Sequence, residues 1–293
     1  LDGSENMKPD WIWIKERSAS DSAHNLTDSV RGAGKGLFSN TDGVEYNYGT
    51  GTDGSVRTFN TNGFTLGTAT QVNPSGVSMV SWNWKAGTAF TNDASSTGIG
   101  SIDSAGSVSE TAGFSIVSYT GSGSGATVKH GLSTTPNIMI IKNRVTSTKD
   151  WQVYSPVNDP TDALGLNQND GTGDSDVYWN DTAPTSSVFS VKSGATNTSG
   201  AATIGYIFSE RKGFSKISKY IGNGNADGAF VYTGFKPAFV LIKQVSASGE
   251  DWFICDNKRE GYNGENNRLM PNLSSTESTD SPIDLLSNGF KAR

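Results

Sequence analysis

The chain has 293 residues, a formal charge of −6, 35 glycines and one cysteine, with 18% charged and 10% aromatic residues. That length allows roughly two to three domains that each bury a core without a disulfide staple, and the aromatic content excludes a disordered chain. The lack of a Lys/Arg block excludes a duplex-DNA binder, no apolar run approaches the roughly 20 residues of a membrane span, and Cys255 alone forms no intrachain disulfide.

The first residues, Leu1 to Ser4, carry neither the basic nor the apolar region of a signal peptide. Without an initial Met, the chain reads as processed, cut or part of a longer product. The first predicted element is Pro9-Asp-Trp-Ile-Trp-Ile-Lys15, a proline followed by a short apolar run, which marks a buried strand. Met79-Val-Ser-Trp-Asn-Trp84 alternates, with Trp82 and Trp84 on one face and Ser81 and Asn83 on the other. Gly113-Phe114-Ser115 opens a strand ending near Tyr119. Pro136-Asn-Ile-Met-Ile-Ile-Lys142 then repeats the first run, and Pro237-Ala-Phe-Val-Leu-Ile-Lys243 repeats it again. Trp151 and Trp252 follow at one matched position, where the first repeat has His24. Phe64, Phe189 and Phe290 lie 55, 53 and 53 residues after their prolines. Thr203-Ile-Gly-Tyr-Ile-Phe208 matches Met79–Trp84, and Gly213-Phe214-Ser215 predicts one more opening strand, ending near Tyr220.

Internal repetition of this kind takes precedence over any local signal. It predicts an all-β chain of tandem antiparallel β-sandwich units, jelly-roll or lectin-like, of about 100 residues each. Unit one spans 1–85 and lacks its opening strand. A Ser/Thr/Gly-rich linker follows at 86–112, with an edge strand near Ile99–Ile102. Unit two, 113–211, is complete, and unit three, 212–293, lacks its last strand. Units of this size fold alone, so separate beads are expected. The missing strands leave open sheet edges. A fragment, two ends that complete each other, or a strand from a neighbouring subunit would explain them.

Trp11-Ile-Trp-Ile-Lys15, Asp28-Ser-Val-Arg-Gly32, Asn62-Gly-Phe64, Trp82-Asn-Trp-Lys85, His130-Gly-Leu132, Trp179-Asn-Asp-Thr-Ala-Pro184, Asp256-Asn-Lys-Arg259 and Leu286-Ser-Asn-Gly-Phe290 together resemble a repeat of tail-fibre and other virion structural proteins of marine tailed bacteriophages, cyanophages included. The resemblance spans nearly the whole chain. It implies a virion location after synthesis in the host cytoplasm, other virion proteins as partners, and a homo-oligomer. Analogy with fibres makes that oligomer a trimer, for which the sequence shows no coiled-coil heptads. The expected role is a tail-fibre or receptor-adhesin segment that attaches to a host surface glycan without catalysis. A capsid decoration or fibre subunit touching only virion proteins, and a polysaccharide depolymerase, are the alternatives.

Candidate chemistry is sparse. His24 and His130 with one cysteine cannot make a zinc site, and both read as packing or turn residues. Cys255 has no neighbour to lower its pKa and reads as a buried thiol. Gly32-Ala-Gly-Lys-Gly36 lacks the spacing of a phosphate loop. Asp42 and Asp53, each before a glycine, are turn signals before they are glycosidase carboxylates. Asp170-Gly-Thr-Gly-Asp174-Ser-Asp176 is similar to a calcium loop but lacks the EF-hand spacing. Tyr178-Trp179 and Tyr46-Asn-Tyr48 are the aromatics expected on the surface, as sugar-stacking candidates. The remaining tryptophans are expected in the core. No catalytic, cofactor-binding or metal-binding residue is assigned, and no cofactor, nucleic acid or membrane insertion is expected.

Overall fold

The computed structural model describes residues 6–18, 22–259, 263 and 266–293. Repeat one contributes β1 (Trp11–Glu16), β2 (Asn25–Asp28), β3 (Lys35–Phe38), β4 (Tyr46–Asn47), β5 (Val56–Asn60), β6 (Gly63–Leu66) and β7 (Met79–Trp84). Next come β8 (Thr88–Asn92), α1 (Ala94–Thr97) and β9 (Ser104–Ser109). Repeat two contributes β10 (Phe114–Thr120), β11 (Ala126–Lys129), β12 (Ile138–Asn143), β13 (Gln152–Tyr154), β14 (Asp162–Ala163), β15 (Gly173–Asp174), α2 (Asp176–Trp179), β16 (Val188–Val191) and β17 (Ala202–Phe208). Repeat three contributes β18 (Phe230–Tyr232), β19 (Phe239–Ile242), β20 (Phe253–Asp256), β21 (Ile283–Leu286) and β22 (Gly289–Ala292).

The protein is nearly all β, in many antiparallel sheets. One sheet runs β4-β3-β2-β1-β7 and another β13-β12-β17-β10-β9-β8. The pairs β5–β6, β11–β16 and β19–β20 and the trio β18–β22–β21 form smaller sheets.

The proline-opened strands read as unbroken apolar runs because both their faces are buried. Side chains alternate across a strand, so each face meets a different partner. Trp11 and Trp13 of β1 enter a core that also holds Ile140, Trp151, Tyr206, Trp252 and Ile254, drawn from all three repeats. Ile12 and Ile14 turn the other way, onto Val56, Phe59 and Phe64 of the β5–β6 hairpin. Met139 and Ile141 pack likewise with Phe189 and Val191, and Val240 and Ile242 with Leu285 and Phe290. The three phenylalanines at near-constant spacing therefore each sit in the private core of their own repeat. All the tryptophans except Trp179 build the common one, where Trp11, Trp13 and Trp151 are at most 1% exposed. The repeats are not separate beads, since their largest apolar side chains are buried against one another.

Two expectations change. Residues 86–112 are not a linker: β8 and β9 pair with each other and β9 with β10, extending the repeat-two sheet. Their small residues serve packing. A Cβ at Gly106 would run into the Ile116 carbonyl and come within 2.9 Å of the Phe90 ring. Near Ile99–Ile102 there is a single bridge, Ile102 to Val128. The strand expected from Gly213 to Tyr220 is also absent. In repeat two the matching strand, β10, is held between β17 and β9. Among the described residues no strand pairs with 214–221, and Phe214 is 63% exposed.

Candidate functional site

The repeats meet at three junctions, and matched residues meet at each. A backbone N–H of one repeat donates to a carbonyl of the next: Glu45 to Arg144 at 2.8 Å, Thr172 to Val245 at 2.9 Å, and Glu277 to Arg17 at 2.9 Å. The lysine ending each proline-opened run crosses the same junction. Lys142 Nζ donates to the Asp42 carbonyl at 3.1 Å, Lys243 to Asn169 at 3.3 Å, and Lys15 to Ser274 at 3.4 Å. Two joins one, three joins two, and one joins three, so the order closes into a ring.

The matched Trp/His position repeats the pattern. Trp151 Nε1 donates to the Phe38 carbonyl and Trp252 Nε1 to the Gly165 carbonyl, both at 2.8 Å. In repeat one His24 takes this place, against the Met270 backbone, and its Nδ1 accepts from Trp13 Nε1 at 2.9 Å. Burial, then the charge of Lys15, pushes its pKa well below the usual histidine range, so the ring is neutral.

Two junctions also hold a charged centre. Asp28 closes a turn by accepting from the N–H groups of Val30 (3.0 Å) and Arg31 (2.8 Å), the local geometry aspartate favours. Its second oxygen pairs with Nε of Arg31 and accepts from the Tyr206 hydroxyl at 2.7 Å. The Arg31 guanidinium also reaches the Leu26 carbonyl at 2.8 Å, Glu45 at 3.1 Å and the Tyr206 oxygen at 3.1 Å. Asp256 and Arg259 repeat the arrangement, with Nε on the carboxylate at 2.7 Å and Glu277 in the place of Glu45 at 2.5 Å. Trp82 Nε1 donates to Asp256 at 3.0 Å, and the Arg259 guanidinium lies 5.7 Å from the centroid of the Trp82 ring. Trp82 in β7 and Tyr206 in β17 hold the same position of the repeat, so each aromatic locks its own repeat onto the next. At the third junction Ser155 replaces the aspartate, and among the described residues its buried hydroxyl has no hydrogen-bond partner.

The electrostatics follow from burial and pairing. Burial opposes the Arg31 charge, but Asp28, with Tyr206 and Glu45, holds its pKa above the ordinary arginine range. Burial would raise Glu45 and Glu277; Arg144 with Arg31, and Arg17 with Arg259, more than offset it and hold both carboxyls low. Burial pushes the Tyr206 phenol far up, so it stays a donor. Pairing thus favours the charged forms of Arg31, Glu45 and Glu277 and burial the neutral form of Tyr206, which suits a clamp between repeats.

Sequence reasoning singled out other residues. His130 is buried: Nδ1 accepts from the Leu132 N–H at 3.2 Å, Nε2 meets the Thr185 carbonyl at 3.2 Å, and burial lowers its pKa to about 4. Cys255 is a free, buried thiol whose pKa burial raises to about 12. Gly34 in the Gly32–Gly36 stretch accepts from the Tyr48 N–H at 2.8 Å and donates to Val56 at 2.8 Å, a close backbone approach. The Asp170–Asp176 loop serves the junction between repeats two and three through Thr172. Asp174 pairs with Asp162 in β14–β15, and Asp176 forms an ion pair with Lys192. Among the described residues no three His, Cys, Asp or Glu side chains converge to hold a metal. Asp42 lends its carbonyl to Lys142, and Gly54, after Asp53, bonds back to Gly51.

The surface aromatics divide. Trp179 is fully buried, since α2 folds it onto Tyr154, so it offers no face to a sugar. Tyr178 is half-buried beside it. Tyr46 is 58% exposed on edge strand β4, with the Tyr48 ring 5.2 Å away and Phe38 behind both. A concavity of about 480 Å³ lies between Lys85, Ala112, Arg211 and Phe214.

What the sequence reading missed is the clamp. Its signal was present, as the Asp-x-x-Arg shared by Asp28–Arg31 and Asp256–Arg259. No curated protein and no solved structure matches the chain. A family model does match, over residues 3–293, and by that match the chain belongs to the family described as Domain of unknown function (DUF7483).

Proposed function

We propose that this chain is a structural and attachment module of a bacteriophage virion, a tail-fibre or receptor-adhesin segment that binds a host surface glycan without catalysis. One observation carries the reading. The ionisable groups that the fold gathers are spent on closing three repeats into a ring, through Asp28–Arg31–Tyr206 and Asp256–Arg259–Trp82. Such a body suits load and display better than turnover. In this reading each repeat is a sandwich, its main strands packed over a small second sheet. Repeated units gain effective concentration for weak ligands. The virion placement rests on the sequence resemblance. Tyr46 and Tyr48 are the sugar-facing candidates, because exposed aromatic faces stack on sugars while their hydroxyls stay wet.

Adsorption to host cells and binding to purified host surface polysaccharide test this. The assembled protein binds, and Tyr46→Ala binds at least tenfold more weakly with an unchanged melting temperature. No adsorption at high protein concentration would overturn attachment. Antibody labelling confined to the capsid shell would move the chain to a decoration role.

A further inference from the structure

The three junctions share one plan and differ at one titratable position. Where repeats two and three place Trp151 and Trp252, whose indole nitrogens donate across to Phe38 and Gly165, repeat one places His24. Indole has no proton to gain or lose near neutrality, and imidazole does. His24 is fully buried at the junction between repeats three and one. Its carbonyl accepts from the Ser39 N–H, and the Ser39 hydroxyl donates across the junction to the Pro271 carbonyl at 2.6 Å. The Lys15–Ser274 and Glu277–Arg17 contacts cross the same junction.

The surroundings of the ring suit only its neutral form. Trp13 Nε1 can donate but not accept, so His24 Nδ1, 2.9 Å away, carries no proton. The proton of the neutral ring therefore sits on Nε2, which faces the Met270 backbone of repeat three. A second proton has to go onto Nδ1. That sets one N–H against another and strips Trp13 of its acceptor. Nearby charges add to the cost. Among the described residues, those acting on the ring are Lys15 of β1 and Arg259 beyond β20, both cations. Each has counter-charges of its own: Glu16 for Lys15, and for Arg259 both Asp256 at 2.7 Å and Glu277 at 2.5 Å. Among the described residues no carboxylate bonds to the ring itself. Burial and these cations keep the ring neutral while the junction is closed, and its pKa returns to about 6.5 once water reaches it. Glu277 is held low by Arg17 and Arg259, so it stays charged in mild acid.

We propose that His24 makes the junction between repeats three and one an acid-opened clasp, which releases while the two tryptophan junctions hold. The open form takes up a proton that the closed form refuses. The closed form is therefore favoured above pH 6.5, and the opening constant grows as pH falls below it, by about thirtyfold between pH 7.5 and pH 5. Release parts Trp82 from Asp256 and from the Arg259 guanidinium, so an aromatic face that is buried at neutral pH turns to solvent in acid. The clasp does not depend on the virion reading.

The test is native-state amide exchange on the intact chain, corrected for intrinsic rates, at the matched amides of the three junctions: Glu277, Glu45 and Thr172. From pH 7.5 to pH 5 the opening constant at Glu277 rises about thirtyfold. At pH 5 it stands at least tenfold above those at Glu45 and Thr172 and does not respond to low denaturant, the mark of a local opening. His24→Gln keeps an acceptor for Trp13 and a donor towards Met270 but cannot titrate, and it removes the rise at Glu277. Equal opening at the three amides at pH 5, or exchange of Glu277 only through global unfolding, overturns the clasp without recourse to any variant. A rise that persists in His24→Gln overturns the assignment to His24, as does a His24 ring that titrates near 6.5 by nitrogen NMR in the closed protein.

Discussion

Tyr206, near the end of repeat two, donates its hydroxyl to Asp28 in repeat one across 2.7 Å and 178 positions of sequence. Tyr206→Phe keeps the ring stacked on Trp11, whose centroid lies 4.2 Å away, and removes only this bond and the one from Arg31. A loss of about 1–3 kcal/mol is expected in urea unfolding. The same change in an Asp28→Asn background costs clearly less, and the difference measures the coupling between repeats.

Arg31→Met leaves Asp28 buried without its cation. Truncating one partner of a buried pair costs about 3–5 kcal/mol. Asp28→Asn with Arg31→Met restores part of that loss, because no buried charge is then unpaired. A single change costing less than about 1 kcal/mol would show that the pair is not desolvated.

The matched lysines differ in exposure, and so in consequence. Lys142 is fully buried and donates to the carbonyls of Asp42, Asn143 and Lys149. Lys243 makes the matching three contacts in a half-exposed setting. Lys142→Met strands buried acceptors and costs at least about 2 kcal/mol. Lys243→Met costs about half as much, since water reaches its carbonyls. Paired denaturation curves decide the order.

Much of the fold was legible. Pro9–Lys15, Pro136–Lys142 and Pro237–Lys243 announced β1, β12 and β19, because an apolar run opened by proline has few other solutions. The common core was not legible, since alternation within Trp11–Ile14 gives two faces without naming what each one meets. β8 and β9 were hidden by composition: Ser, Thr and Gly signal a linker and equally line a tightly stacked strand. Phe214–Tyr220 looked like a strand and is not, because strand formation needs a neighbour that local sequence does not report. The clamp was hidden for the same reason. Asp28-x-x-Arg31 is visible, but Tyr206 reaches it only through the tertiary fold.

Stability should fall on acidification. Burial above all pushes His130 down to about 4 in the folded state, from the ordinary histidine range near 6.5, and His24 is shifted the same way. The folded state resists protonation, so these groups favour folding above pH 6.5 and lose that advantage as pH drops towards 4. For His130 the loss is roughly 3 kcal/mol over that window. Denaturant midpoints taken from pH 7.5 to 4 should decline, and His130→Gln should flatten part of the decline. A flat profile in the native protein would contradict the buried neutral rings.

Cys255 should be inert in the native protein. Burial raises its pKa to about 12 from 9.0, which lowers the thiolate fraction by about three orders of magnitude. A thiol-reactive dye should label it only after denaturation, and rapid native labelling would place it at the surface.

The Glu277 N–H that bonds to the Arg17 carbonyl makes the first repeat wait for the last. During synthesis Arg17 leaves the ribosome some 260 residues before its carboxylate partner exists. Until then its surroundings, and Trp82 with them, have no third repeat to cover them. Contacts this distant in sequence make for slow, late assembly and a long interval of exposed aromatic surface. The step most vulnerable to chaperone capture or aggregation is therefore the closing of that final seam.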